Sequence, residues 1–343
     1  MLRQTMHRFL FAVFSVALAS GGAQASANLP AFKADATQTS VSGLSSGAFM
    51  AVQYQVAFSK SVKGAGVIAG GPYYCAGTLG YAAAAICMGM VPFMPPNPAL
   101  MLEAAQAFAA SGQIDPLAGL QDDRLYVYSG TKDTVVYPQA VDATVDFFKR
   151  AGVPEQQIKY VNKVPSGHAL IIPKYGNACA ANAAPYISHC RVKGSGYDQA
   201  GDLLGHIYGP LHVPALVPGG QVIAFSQREF ADAGSGMAED GYLYVPPSCA
   251  QDSTRCKVHV ALHGREQSVA VIGNDFYTDT GYNNWADSNR LLVLYPQVNA
   301  STAPYNPKGC WDWVGYTGPA YATTSGVQLA AIKAMVDRLT ARR

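Results

Sequence analysis

Gly43-Leu44-Ser45-Ser46-Gly47 stands between residues 38–42, a short alternating run that suits a strand, and residues 48–58, a breaker-free run that suits a helix. A Gly-x-Ser-x-Gly pentapeptide in that setting predicts a sharp strand-to-helix turn with a serine at its apex. Such a turn crowds the backbone on both sides of the serine. Glycines at the flanks relieve the clash and admit a strained backbone. The Ser45 hydroxyl is then lifted above the sheet edge beside a helix N-terminus, whose partial positive charge favours an oxyanion. An ordinary strand-to-helix loop in a Gly- and Ser-rich chain would carry the same letters, so the reading of Ser45 as a nucleophile depends on its partners.

Working outward, residues 62–69, 125–129 and 158–164 read as strands, and residues 139–151 carry apolar side chains at helical spacing. Beyond about Cys190 the chain is Gly-rich and less regular. Strand signals resume at residues 222–225, 241–245, 257–262 and 291–295, and residues 327–339 form an amphipathic helical pattern. Strands alternating with helices predict an α/β fold, a mainly parallel sheet with helices on both faces. No internal repeat or low-complexity linker divides residues 26–343, which read as one catalytic domain.

A serine nucleophile needs a base, and the base needs an acid to orient it. Asp133 lies shortly after the strand at 125–129, and His168 lies in Pro165-Ser166-Gly167-His168 after the strand at 158–164. Both positions deliver side chains to the carboxyl edge of a parallel sheet, the edge that carries Ser45. The order Ser, Asp, His is that of α/β-hydrolases. Asp133 equally suits an Asx turn or helix cap. Asp115, Asp122 and Asp123 are weaker rivals because they precede their strand. Of the other histidines, His189 sits beside a candidate disulfide, His206 and His212 lie in the irregular region, and His259 falls inside a strand. His263 follows the strand at 257–262 in His263-Gly264-Arg265, a form that suits the loop donating a backbone N–H to an oxyanion. Ser46 and Arg265 are the expected donors, with His263 a scaffold residue rather than a second base.

The chain order of these parts is unusual. An oxyanion strand ordinarily precedes the nucleophile strand, and here it follows all three triad candidates. The C-terminal helical pattern would ordinarily lead into the nucleophile strand, which here opens the chain. Circular permutation of an α/β-hydrolase fold accounts for both, with the join between residues 190 and 220.

The 343 residues include 24 Lys and Arg against 22 Asp and Glu, with 49% apolar and 13% charged residues. That composition excludes a disordered chain and offers no basic surplus for nucleic acid. Residues 1–25 read as an export signal: Arg3, His7 and Arg8, then an apolar run, then Ala23-Gln24-Ala25, with Ala25-Ser26-Ala27 as a second cleavage option. After it no apolar run is long enough to cross a bilayer, so the expectation is a secreted or periplasmic protein. Loss of the two arginines would leave no net charge, and so little long-range steering of a charged substrate. Export makes disulfides the expected state of Cys75 with Cys87, Cys179 with Cys190, and Cys249 with Cys256, leaving Cys310 over. No CxxC or HExxH pattern points to a metal.

In its first half Gly43-Leu44-Ser45-Ser46-Gly47-Ala48-Phe49-Met50, Gly130-Thr131-Lys132-Asp133 and Ser166-Gly167-His168, then Tyr197-Asp198-Gln199-Ala200, and towards the C-terminus Leu262-His263-Gly264, Leu294-Tyr295-Pro296-Gln297 and Asn306-Pro307-Lys308-Gly309-Cys310-Trp311-Asp312-Trp313 give a chain that resembles the circularly permuted, single-domain poly(3-hydroxybutyrate) depolymerases. The resemblance implies a serine esterase that cuts poly[(R)-3-hydroxybutyrate] to oligomers and monomers without a cofactor. By it Ser45 is the nucleophile, Asp133 the orienting acid and His168 the base, with Ser46 and Arg265 supplying the oxyanion N–H groups. The family pattern looks like Leu-His-Gly-Cys, and Arg265 stands where that cysteine would. If the missing cysteine pairs with the one in the Gly-Cys-Trp stretch, its loss explains why Cys310 is single. Val314 is a second departure, at a position where an aromatic residue is expected. Trp311 and Trp313 are candidates for the polymer cleft, and the 20 tyrosines and low charge suit adsorption to a neutral polyester. Another secreted carboxylesterase (feruloyl or acetyl) and a non-catalytic polyester-binding protein on a hydrolase fold remain as alternatives.

Overall fold

The strand Thr39–Leu44 lies in the middle of a sheet, buried at every position, as a strand covered on both faces must be. The structure, a computed structural model, describes residues 27–253 and 255–341. Residues 1–25, read above as an export signal, lie outside them. We number the strands of the main sheet in chain order: β1 Thr39–Leu44, β2 Gly64–Ile68, β3 Arg124–Tyr128, β4 Ile158–Val161, β5 Gln221–Ser226, β6 Asp240–Val245, β7 Lys257–Leu262 and β8 Leu291–Tyr295. Their spatial order is β5-β6-β8-β7-β1-β2-β3-β4. The five neighbours β8 through β3 pair in parallel, as does β4 on β3. β5 and β6 run antiparallel to each other, and β6 is antiparallel to β8. The sheet is therefore mainly parallel with an antiparallel edge, an α/β-hydrolase architecture.

Two long helices were not expected. Pro98–Ala110 starts on Asn97, whose side chain accepts the N–H groups of Ala99 and Leu100, with Pro98 at the first turn. Gln199–Tyr208 starts on Asp198, which caps the Gly201 N–H. It lies inside the stretch read as irregular, because Gly201 and Gly205 interrupt its pattern. Gly201 is needed there: a methyl group would run into the Trp285 ring. The remaining long helices, Ser46–Ala57, Pro138–Arg150 and Val327–Thr340, agree closely with expectation.

The two ends of the described chain meet. The N–H groups of Phe32 and Ala34 both donate to the Leu339 carbonyl, and Arg338 reaches the Leu29 carbonyl. Disulfides join Cys75 to Cys87, Cys179 to Cys190 and Cys249 to Cys256, and Cys310 is free. Among the described residues no helix is long and apolar enough to cross a membrane, and no cluster of metal-ligating side chains occurs.

Candidate active site

Ser45 sits between the end of β1 and the first turn of helix Ser46–Ala57, with φ 58° and ψ −123°. That left-handed φ costs a non-glycine residue about 1–3 kcal/mol and persists only where its surroundings enforce it. The enforcement is visible. Its N–H donates to the Ile68 carbonyl of β2 at 3.0 Å, and its carbonyl accepts from Ala48 and Phe49 as the helix begins. A side chain on Gly43 would collide with the Gly47 carbonyl, and one on Gly47 with the carbonyl oxygens of Leu262 and His263. Both glycines are therefore close-approach positions, and the second seats the helix against the end of β7. Ser45 is almost wholly enclosed, 5% exposed.

Asp133 serves two ends with two oxygens. Oδ1 accepts the N–H groups of Val135 and Val136 at 2.8 and 2.9 Å, which is the Asx turn. Oδ2 lies 2.8 Å from His168 Nδ1. The turn holds the carboxylate still, and the carboxylate fixes the imidazole with Nδ1 protonated and Nε2 as the free base. Among the described residues no hydrogen-bond partner takes His168 Nε2, although the ring is 1% exposed. Ser45 Oγ is thus not hydrogen-bonded to it in this state; such contacts are often long without substrate and tighten in the complex.

The loops that carry Asp133 and His168 are tied together by a residue the sequence reading did not single out. Asn182 Oδ1 accepts the His168 N–H at 2.8 Å and the Thr134 N–H at 3.0 Å. Its Nδ2 donates to the carbonyls of Lys132 and Ala180 at 3.0 and 3.2 Å. The same segment is stapled by the Cys179–Cys190 disulfide, and the Gly167 N–H donates to the Cys179 carbonyl. The Tyr186 ring packs edge-on against His168 with centroids 5.9 Å apart.

Across the elbow, β7 ends in His263-Gly264-Arg265. His263 is fully buried. Its Nδ1 donates to the Gly264 carbonyl at 2.7 Å and its Nε2 accepts the Val298 N–H at 3.2 Å. Burial pulls its pKa down to about 4, so it stays neutral and serves as a scaffold. Gln267 accepts the Gly264 N–H and donates to the carbonyls of Pro185 and Tyr186, joining this loop to the segment behind His168. Among the described residues no acceptor takes the N–H of Ser46 or Arg265. His259 lies between the hydroxyls of Ser40 and Ser42 inside the sheet, held neutral by burial, with its pKa near 3.

A cavity of about 190 Å³ opens at Ser45. Its walls are mostly apolar, including Phe49, Met88, Val136 and Trp313, and its polar groups come from Ser46, Arg265, Asn306 and Lys308. Trp313 stacks on Phe49 at 4.3 Å, and Val314 packs in the same small cluster. Trp311 corrects one expectation: it is fully buried, packed at 5.6 Å on His263, and does not line the cavity. Two residues apart, the indoles face opposite ways. The buried Asp312 between them accepts N–H groups from Val314, Gly315, Tyr316 and Thr317, which curls the chain so. A larger cavity of about 360 Å³, near Tyr175 and Leu216, contains none of the triad candidates.

The chain has relatives among known proteins. No protein-family model matches the chain. A polyhydroxybutyrate depolymerase of Talaromyces funiculosus is 38% identical over 94% of this chain and 95% of its own length. The chain belongs to the poly(3-hydroxybutyrate) depolymerase family. A family member from Delftia acidovorans is 44% identical over 93% of this chain, which spans 63% of that relative's length. Two solved structures of the family share the fold at a TM-score of 0.81 and 35% identity, covering 91% of this chain and 98% of theirs. One is a depolymerase from Penicillium funiculosum, and one is described as complexed with an R3HB trimer.

Proposed function

We propose that this member of the depolymerase family is a secreted serine esterase that hydrolyses poly[(R)-3-hydroxybutyrate] to oligomers and monomers through an acyl-enzyme. The observation that carries the reading is the strained Ser45 at the mouth of an apolar cavity, above a helix N-terminus, with a buried Asp133–His168 pair whose Nε2 is unclaimed. In this reading Ser45 Oγ attacks an ester carbonyl and His168 Nε2 takes its proton. Asp133 stabilises the imidazolium. The Ser46 and Arg265 N–H groups hold the oxyanion; one such donor is worth about 3 kcal/mol of barrier. His168 then protonates the departing alkoxide, and water, deprotonated by the same ring, releases the acid. No step requires a metal or organic cofactor.

Substrate character follows from the walls. A cavity lined by Phe49, Met88, Val136 and Trp313 suits a neutral polyester segment, and the R3HB trimer of the related complex is of that class. Exposed Leu79, Tyr81, Met90, Phe93, Met94 and Tyr305 supply apolar surface on segments leading from the cavity wall, suited to adsorption on solid polymer. Three disulfides support export by residues 1–25. Circular permutation is supported by the strand order and by the junction of Phe32 with Leu339, where the helix Val327–Thr340 ends beside the start of β1.

The test is product analysis on amorphous polymer, wild type beside Ser45→Ala. Release of 3-hydroxybutyrate and its oligomers by the wild type alone supports the reading. Release only of ferulate or acetate from esterified carbohydrate would move the chain to another carboxylesterase class. Equal release by the folded alanine variant would reject Ser45.

A further inference from the structure

The cavity at Ser45 is apolar except at one side, and that side is cationic. Arg265 and Lys308 both line it. A single carboxylate, Glu266, pairs with both among the described residues: it meets Lys308 Nζ at 2.6 Å and Arg265 Nη2 at 3.4 Å, and accepts from the Tyr186 hydroxyl at 3.4 Å. One positive charge is left over. Arg265 Nε, on a residue that lines this cavity, is buried with no hydrogen-bond partner among the described residues. A buried donor without an acceptor is costly, and a guanidinium fork is matched by a carboxylate. The Cys310 thiol nearby adds no competing anion, since burial pushes its pKa up to about 11.

Resting on the esterase reading above, we propose that Arg265, with Lys308, forms a carboxylate subsite that takes the free acid end of short 3-hydroxyalkanoate oligomers. A polyester chain is neutral along its length and carries one carboxylate at its end. When that end lies on Arg265, the ester presented to Ser45 is one near the acid terminus. The acyl C–O bond breaks, the Ser45 Oγ–C bond forms, and the leaving alkoxide takes the proton held by His168. The leaving group keeps its carboxylate and departs as a free hydroxy acid or short oligomer. The side chain thus adds an oligomer-trimming preference to a site whose backbone N–H serves every ester alike.

The experiment compares kcat/KM for the (R)-3-hydroxybutyrate trimer as free acid and as its methyl ester, at low and high salt. The wild type should prefer the acid about tenfold at low ionic strength, with the preference shrinking as salt screens it. Arg265→Gln should bring the ratio near one, and Lys308→Gln, which leaves the oxyanion N–H in place, should lower it. A wild-type ratio of one or below, or an unchanged ratio in both variants, overturns the subsite. Turnover of both trimers without discrimination defeats this inference alone; turnover of neither, nor of polymer, defeats the esterase reading beneath it.

Discussion

Asn182 makes four hydrogen bonds that join the loop of Asp133 to the loop of His168, and removing them should separate a stability effect from a catalytic one. Asn182→Ala deletes all four. Most lie near the surface, where water replaces them, so the loss in stability is about 2 kcal/mol, at the low end of the net value per bond. For a chain of this size that is a fall in Tm of roughly 3 °C. The catalytic effect should be larger in proportion. The His168 N–H loses its anchor, the imidazole drifts relative to Ser45, and a displacement of about 1 Å costs on the order of 100-fold in rate. The assay is steady-state hydrolysis of a soluble short-chain ester alongside thermal unfolding. We expect kcat to fall roughly 10- to 100-fold with KM little changed, because the cavity walls do not include Asn182. A variant that loses stability but keeps kcat within about twofold of wild type would refute the positioning role.

Gly47→Ala should destabilise by at least about 1–3 kcal/mol, the usual cost of overpacking, since its methyl meets backbone carbonyls of Leu262 and His263 that cannot turn aside. Gly205→Ala, with open space at the same atom in helix Gln199–Tyr208, should be neutral or stabilising by about 0.5–1 kcal/mol; paired melting curves check both. Asp123 is a buried carboxyl held by the Gln55 amide, and burial raises its pKa from 3.8 to about 7. The folded chain therefore binds more protons than the unfolded chain between those values, so this group's contribution falls as pH rises from 4 to 7. Asp123→Asn should gain on wild type by up to about 4 kcal/mol at pH 8 and lose that advantage near pH 4, read from denaturant unfolding at the two pH values.

The elbow, the strands around it and the pairing of Asp133 with His168 were legible because each is written locally. A glycine on either side of Ser45, an aspartate after one strand and a histidine after the next need only the rule that parallel strands present their ends on one edge. Asn182 and Gln267 were not legible. Their partners are backbone groups of loops distant in sequence, and backbone groups leave no letter. The helix Gln199–Tyr208 was hidden by glycines whose reason is a tertiary contact with Trp285. The helix Pro98–Ala110 buries only Met101 and Ala105 fully, so it carries no clear apolar stripe; its Asn97-Pro98 cap was the signal available. The antiparallel pairing of β5 and β6 was not legible, because the stretch between Ser226 and Asp240 is long enough for either a crossover or a return, and only the fold chooses. Trp311 and Trp313 are alike as letters, and only the turn organised by Asp312 puts one on His263 and the other in the cavity.

The most direct test of Ser45 as a nucleophile driven by His168 is its rate of capture by a serine-directed fluorophosphonate, followed by intact mass and peptide mapping. The prediction is one adduct per chain, located on the peptide bearing Ser45, absent in Ser45→Ala and at least about 100-fold slower in His168→Ala. An adduct on another residue, or equal labelling rates with and without the imidazole, would contradict the account.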